Sequence, residues 1–290
     1  MSVAKPPGRI RRGINLAKAS WGVLKSDKSL MAFPLLSIPA GLLVGLVLFA
    51  PGIAILAADD KATWALIVFG LIAAYGLTFT AIFFAVALAA CASKALEGEN
   101  TTVAQGLAVA KSRAGVIAAW SLVQLTVGLI LNAIQSVARD QGGAGAIIGG
   151  ILSFVGGVAW AVATFFIVPV LALEGLGPKP AIKRSVGVIK ERWGEGVVGS
   201  AAIGIVFLPL IILMIAALVG GFALFNTNQP AGVALLAVAA VLFALTALVS
   251  SSLQAVFRVV VFRYAQDGTV PVGWDEGDLA AAFTSKKKRR

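Results

Sequence analysis

Histidine is missing from the sequence altogether, and cysteine occurs once, at Cys91. The chain therefore lacks the side chain that most often serves as general base near neutral pH and most often ligates transition metals. One cysteine forms no internal disulfide and completes no thiolate metal set, so Cys91 is expected to be a small packing residue. Charge is scarce too, at 13% of residues, where soluble domains carry about 25%. Acids are scarcer than bases, 13 against 24. No set of Asp, Glu and Cys has metal spacing, and no nucleophile stands beside a base. Gly142-Gly-Ala-Gly145 has no following lysine, so it is not a phosphate loop. No catalytic residue, cofactor or metal is expected.

Apolar sequence is what the chain does have: 59% of its 290 residues, with a mean hydropathy of +0.95. Charge-free windows run over 29–58, 62–93, 114–138, 141–173 and 196–257. A helix crossing a bilayer needs about 20 apolar residues. The last window is interrupted at Asn226-Thr227-Asn228-Gln229-Pro230 and holds two such helices. The expectation is an all-α, polytopic bundle of six transmembrane helices at about 31–56, 64–92, 115–137, 147–172, 197–222 and 232–257. The membrane domain covers 9–267, between a Pro/Gly-rich, disordered segment 1–8 and a tail over 268–290. The basic start followed by an apolar run looks like a signal peptide. The run exceeds a signal h-region and has no small-x-small cleavage site, so it is expected to stay in the mature protein.

A net charge of +11 invites a nucleic-acid reading, but topology accounts for it better. With both termini and the 94–113 and 174–195 connectors on one side, that side holds 22 of the 24 Lys and Arg; only Lys61 and Arg139 fall opposite. Cytoplasmic loops carry the Lys/Arg excess, which predicts a multi-pass protein of the plasma (inner) membrane with both termini cytoplasmic. No nucleic-acid partner is expected.

Three basic segments read as amphipathic surface helices, at about 9–25, 102–113 and 180–193. In the first, Ile10, Ile14, Ala17, Trp21 and Leu24 form a stripe. In the third, Ile182, Val186, Ile189 and Trp193 do, after Gly175, Gly177, Pro178 and Pro180 have ended the preceding helix. Such helices lie along a membrane with their cations toward anionic headgroups. The candidate headgroup contacts are Arg11, Arg12, Lys18, Lys111, Arg113, Lys183, Arg184, Lys190 and Arg192. Ser26-Asp27-Lys28-Ser29 offers caps for the first span, and Thr101 or Thr102 can cap the second surface helix. Pro39 and Pro51 predict a kink or local unwinding in span one. Gly41 and Gly45 form a small-xxx-small pair suited to close helix packing.

Within the span limits no residue is ionisable, although intramembrane ionisable groups are the usual mark of a carrier or enzyme. Polar residues at depth, such as Tyr75, Thr78, Thr80, Gln124 and Thr126, are expected to bond i−4 carbonyls or neighbouring helices. Ser250, Ser251, Ser252 and Gln254 are the candidates for lining a polar cavity. Glu174, beside the basic segment, is expected to pair with Lys179 or Lys183.

Ahead of spans one, three and five stand Lys18-Ala-Ser-Trp-Gly22-Val-Leu24, Lys111-Ser-Arg-Ala-Gly115-Val-Ile117 and Lys183-Arg-Ser-Val-Gly187-Val-Ile189. The shared Lys-x-x-x-Gly-Val-[Leu/Ile] suggests a unit of one amphipathic helix plus a hairpin, used three times. The third copy lies in Pro169-Val-Leu…Glu174-Gly-Leu-Gly-Pro178…Lys183-Arg184-Ser185…Trp193-Gly-Glu195. With Ser20-Trp21…Asp27…Phe33-Pro34-Leu and Phe262-Arg263-Tyr264-Ala265…Gly268, it resembles an uncharacterised prokaryotic family of six-span integral membrane proteins. The resemblance covers about 10–285, implies a multi-pass plasma-membrane protein and carries over no ligand or catalytic residue.

These features point to a non-enzymatic accessory or scaffold subunit. Its expected partners are membrane lipids, through anionic cytoplasmic headgroups, and a membrane protein or a second copy of the chain. The alternative is a transporter or pore for an uncharged or amphipathic, lipid-like substrate.

Overall fold

The computed structural model of the chain describes residues 18–25, 27–140, 143–192, 198–225, 227–271 and 274, with main chain only at 144, 191, 192 and 198–208. Segment 1–8, Arg11, Arg12, Trp193, most of the 268–290 tail and the Arg192 side chain lie outside that description.

Among the described residues every regular element is a helix. Residues 18–25 form α1, followed by Ser29–Ala58 (α2), Thr63–Ala95 (α3), Val103–Ser112 (α4), Ala114–Asp140 (α5) and Gly143–Ala163 (α6). A short turn, Ile167–Pro169 (α7), leads into a π-helical turn over Val170–Glu174. Pro178–Arg192 (α8), Val198–Phe225 (α9) and Gln229–Asp267 (α10) complete the chain. Five stretches are long and apolar enough to cross a bilayer: Ser29–Ala58, Thr63–Ala95, Ala114–Asp140, Gly145–Glu174 and Gln229–Asp267.

The long helices pair as three hairpins, α2 with α3, α5 with α6 and α9 with α10. Acyl chains are as apolar as leucine, so helices in lipid associate through close packing at small residues. Each hairpin shows this. Leu77 sits against Gly41 and Gly45, at 3.8 and 3.4 Å from the position of an added Cβ, so that small pair packs within the chain. Leu131 meets Gly156 at 3.1 Å on the same measure, and the Phe225 main chain meets Gly232 at 2.8 Å.

Beyond the hairpins the packing is lopsided. The buried core gathers at one end, from Leu24, Leu30, Phe33, Val86–Ala92, Ile117, Phe165–Ala172, Val188 and Val256–Ala265. Away from that end the helices cover mainly their hairpin partner and show apolar side chains outward, such as Leu46 (69% exposed) and Phe154 (71%). Against acyl chains that exposure costs nothing.

Several elements depart from the sequence reading. Helix α2 runs unbroken through Pro34, Pro39 and Pro51, so local unwinding does not occur there. The break comes in span four instead, at residues 164–166. Pro169 has no N–H for the Phe165 carbonyl and its ring crowds that carbonyl, which disfavours a regular helix there. Irregular backbone at such a depth is tolerated where protein buries it, and Phe166, Ile167, Val170 and Leu171 are all buried. Helix α10 continues past the expected end at 257 to Asp267, so Arg258 and Arg263 are helical.

The short helices are also turned further into protein than their apolar stripes suggest. Helix α8 buries Ala181, Ser185 and Val188, one position from the stripe of Ile182, Val186 and Ile189, which stays half-buried at the rim. Helix α1 buries Ser20 and Leu24, and leaves Trp21 under the Lys25 ammonium, 5.9 Å from the ring centroid. Small residues allow the closer approach, so they rather than the bulky ones define the docked face. Helix α4 starts at Thr102, one of the two expected caps, whose hydroxyl and the Gln105 side chain form a reciprocal capping box.

Candidate functional site at the basic end of the bundle

Three polar clasps hold the packed end together. At the first, Asp27 accepts hydrogen bonds from the Ser29 N–H (2.9 Å), the Thr101 N–H (3.1 Å) and the Thr101 hydroxyl, tying the start of α2 to the α3–α4 turn. Cys91 packs beside this junction, 1% exposed, with its thiol directed at the Thr102 carbonyl (3.6 Å). At the second, Arg263 of α10 reaches the Ser93 carbonyl (3.3 Å) and pairs with Glu97, closing α10 onto the end of α3. At the third, Glu174 accepts from Arg184 Nε (3.0 and 3.3 Å) and Gln266 Nε2 (2.7 Å). Its partner is thus Arg184 rather than Lys179 or Lys183, because Lys183 points outward and Arg184, one position on, turns back toward the bundle.

Burial works against the Asp27 carboxylate, yet the hydrogen bonds from Ser29 and Thr101 outweigh it and hold the carboxyl below its ordinary range. With the folded value below the unfolded one, this contribution is present above about pH 4 and is lost as pH falls through the depressed value. The thermal midpoint is expected to drop on acidification below about pH 4. Asp27→Asn should lower the midpoint at neutral pH and flatten that acid slope. Identical slopes in the two proteins would remove Asp27 as the cause.

The break in span four lies at the centre of this end. The Phe166 N–H, released from the helix, donates to the buried Ser185 hydroxyl of α8 (3.2 Å). Phe166 meets Phe165 edge-on at 4.9 Å and Phe262 at 5.7 Å. Two arginines lie over these rings: Arg184 above Phe262 (6.0 Å to the centroid) and Arg258 above Phe165 (5.2 Å). The π turn ends with the Gly175 N–H donating to the Val170 carbonyl (2.9 Å) and Gly175 in the left-handed region, φ +65°. The Arg113 guanidinium lies across Gly175, where any Cβ would collide with it.

Four arginines thus surround the break from α4, α8 and α10, with unequal charge balance. Arg184 and Arg263 have carboxylate partners. Among the described residues Arg113 and Arg258 make no side-chain hydrogen bond or ion pair, and Arg113 Nε is buried without a partner. A guanidinium held this way suits an incoming anion, since its planar fork matches carboxylate and phosphate oxygens.

Of the other residues singled out from sequence, Lys18, Lys111, Lys183 and Lys190 are all exposed. The hydroxyls of Ser250, Ser251 and Ser252 bond back to Ala247 and Leu248 carbonyls; Ser252 is buried and Ser251 exposed. Thr78, Thr80, Thr126 and Thr164 likewise bond their i−4 carbonyls. Tyr75 reaches the Ala118 carbonyl of α5 (3.2 Å), and Trp160 Nε1 donates to Gln124 Oε1 (3.1 Å). Sequence reasoning missed the Arg113–Gly175 contact, the Arg258–Phe165 stack and the role of Ser185. A glycine directly after Glu174, the acid at the end of span four, was the one available signal.

Five membrane-length apolar helices with their far halves bare of protein cover define a helical integral membrane protein. The chain belongs to the family of unknown function DUF6159, whose model matches residues 62–272 and so takes in everything from α3 through α10. No curated protein and no solved structure matches it.

Proposed function

We propose that this protein is a non-enzymatic accessory or scaffold subunit of the plasma membrane that engages anionic lipid and membrane partners through its basic end. In this reading α9 also crosses the membrane, as the fifth of six spans, and the basic end with both termini faces the cytoplasm. Arginines stationed around the span-four break without a full set of counter-ions carry it. The threefold unit has further support: the motif lysines Lys18, Lys111 and Lys183 are all exposed, and an added Cβ at Gly22, Gly115 or Gly187 would touch nothing.

The test is to change the exposed Lys18, Lys111, Lys183 and Lys190 to Gln together. Each cation near an anionic surface contributes about 1 kcal/mol, so phosphatidylglycerol retained through purification should fall sharply while the bundle stays folded. Raising salt should weaken retention by the wild type and much less by the variant. Undiminished lipid retention, or reporter fusions placing the Arg184 segment outside, would overturn the reading.

A second reading keeps one observation of its own. An open apolar groove of about 500 Å3 runs along α2 from Ile38 to Ile53, with Leu77 at its side. It is shaped for an acyl chain and supports transport of a lipid-like substrate. Flux of a labelled lipid across vesicles holding the purified protein tests that alternative.

A further inference from the structure

We propose that Arg113 and the Gly175 turn form a built binding site for a phosphate group, carried by a lipid headgroup or free in solution. This deepens the reading above, on which it rests, by naming one defined site within the basic end.

Arg113 closes α4 as its C-cap residue and reaches across to a turn more than sixty positions later in the chain. Gly175 is fitted to receive it in two ways: its left-handed backbone disfavours any side chain, and a Cβ would strike the guanidinium. Gly175 lies against Nη1, Cζ and Nε; Nε is buried without a hydrogen bond, and the two outer nitrogens make none among the described residues. The carboxylate best placed to neutralise it, Glu174, is already committed to Arg184 and Gln266. A partly desolvated cation that packing holds still, with its charge uncompensated, is unfavourable until an anion arrives. Its open edge offers the paired donors that phosphate oxygens accept. Leu176 and Gly177, next along the turn, have main-chain N–H groups with no acceptor among the described residues. Exposed Lys111 adds positive potential.

The sequence motif marks the same residue. At the third position of its three copies stand Ser20, Arg113 and Ser185, and both serines are fully buried. A small hydroxyl fills the site twice, and an arginine without a hydrogen-bond partner among the described residues replaces it once. Departure from a local rule with no compensating internal contact is expected where a residue serves a ligand.

The experiment uses the full chain in mild detergent and counts phosphatidylglycerol retained by native mass spectrometry for wild type, Arg113→Gln, Arg113→Lys and the four-lysine variant. The wild type should hold one lipid more tightly than the rest. Arg113→Gln should weaken that lipid by roughly tenfold or more. Arg113→Lys should lose most of the same affinity, since it keeps the charge and loses the fork. The four-lysine variant should shed loosely held lipid and keep the tight one. Inorganic phosphate displacing the tight lipid assigns the site to phosphate as such, and failure to displace it assigns it to the headgroup. Arg113→Lys binding like wild type would overturn the built site in favour of diffuse charge, and so would an unchanged Arg113→Gln. If the four-lysine variant also binds like wild type, the wider lipid-facing reading fails with it. Should Arg113→Gln not fold, Arg113→Lys carries the comparison, with its thermal midpoint in lipid-free detergent as the check on structure.

Discussion

Phe166→Ala is expected to destabilise the protein by roughly 3–5 kcal/mol, the range for emptying a fully buried aromatic site. The ring is 0% exposed, meets Phe165 edge-on and packs against Phe262 of α10. Its neighbours cannot close over the gap easily. Phe166 sits where span four is broken, and its main chain is already pinned to Ser185 of α8. Loss of the ring should therefore loosen α8 and α10 together. The thermal midpoint in detergent should fall well below wild type, and trypsin should cut sooner at the exposed Lys183 and Lys190. Phe154→Ala is the control, because that ring is 71% exposed and faces lipid; it should change little. Equal effects from the two substitutions would show that the packed end is not where the stability resides.

Gly106→Val should do comparable damage for the opposite reason. Gly106 is the point where α4 rests on α3, and a Cβ there would lie 2.8 Å from Cys91 Sγ and 2.9 Å from the Ala87 carbonyl oxygen, besides striking the Phe33 ring. A main-chain carbonyl in the middle of a helix cannot move aside, so α4 must lift. Overpacking of this kind costs about 1–3 kcal/mol, and here the shift also pulls Thr101 away from Asp27. Poor accumulation in the membrane and a lowered midpoint are the expected results. Gly22→Ala and Gly187→Ala, where an added Cβ meets nothing within 4 Å, should instead be neutral or raise stability by about 0.5–1 kcal/mol. If all three behave alike, backbone flexibility rather than close approach governs these glycines.

The apolar windows were legible because bilayer thickness sets helix length almost independently of what each helix touches. The α9–α10 turn was visible in Asn228 and Pro230, and the structure places Asn228 as the cap, accepting from the Ala231 N–H. Thr101 or Thr102 was legible as the start of α4, and the structure selects Thr102, with Gln105 completing its capping box. These signals act over four or five residues and need nothing distant. The docked face of α8 lies one position from its apolar stripe because periodicity ranks residues by hydrophobicity. Once a protein surface is at hand, close approach favours Ser20, Ala181 and Ser185 over Trp21 and Ile182.

Hydrophobic length and charge placement, both readable residue by residue, determined that this chain is an all-helical membrane protein with its cations collected at one end of the hairpins. Tertiary structure alone decided which cations stay uncompensated. Glu174 joins Arg184 and Gln266, Glu97 takes Arg263, and Arg113, the C-cap of α4, is laid on Gly175. The physical reason is that a pairing depends on where the broken fourth span brings its ends, and strand-like or helical spacing within any one segment holds no record of that meeting.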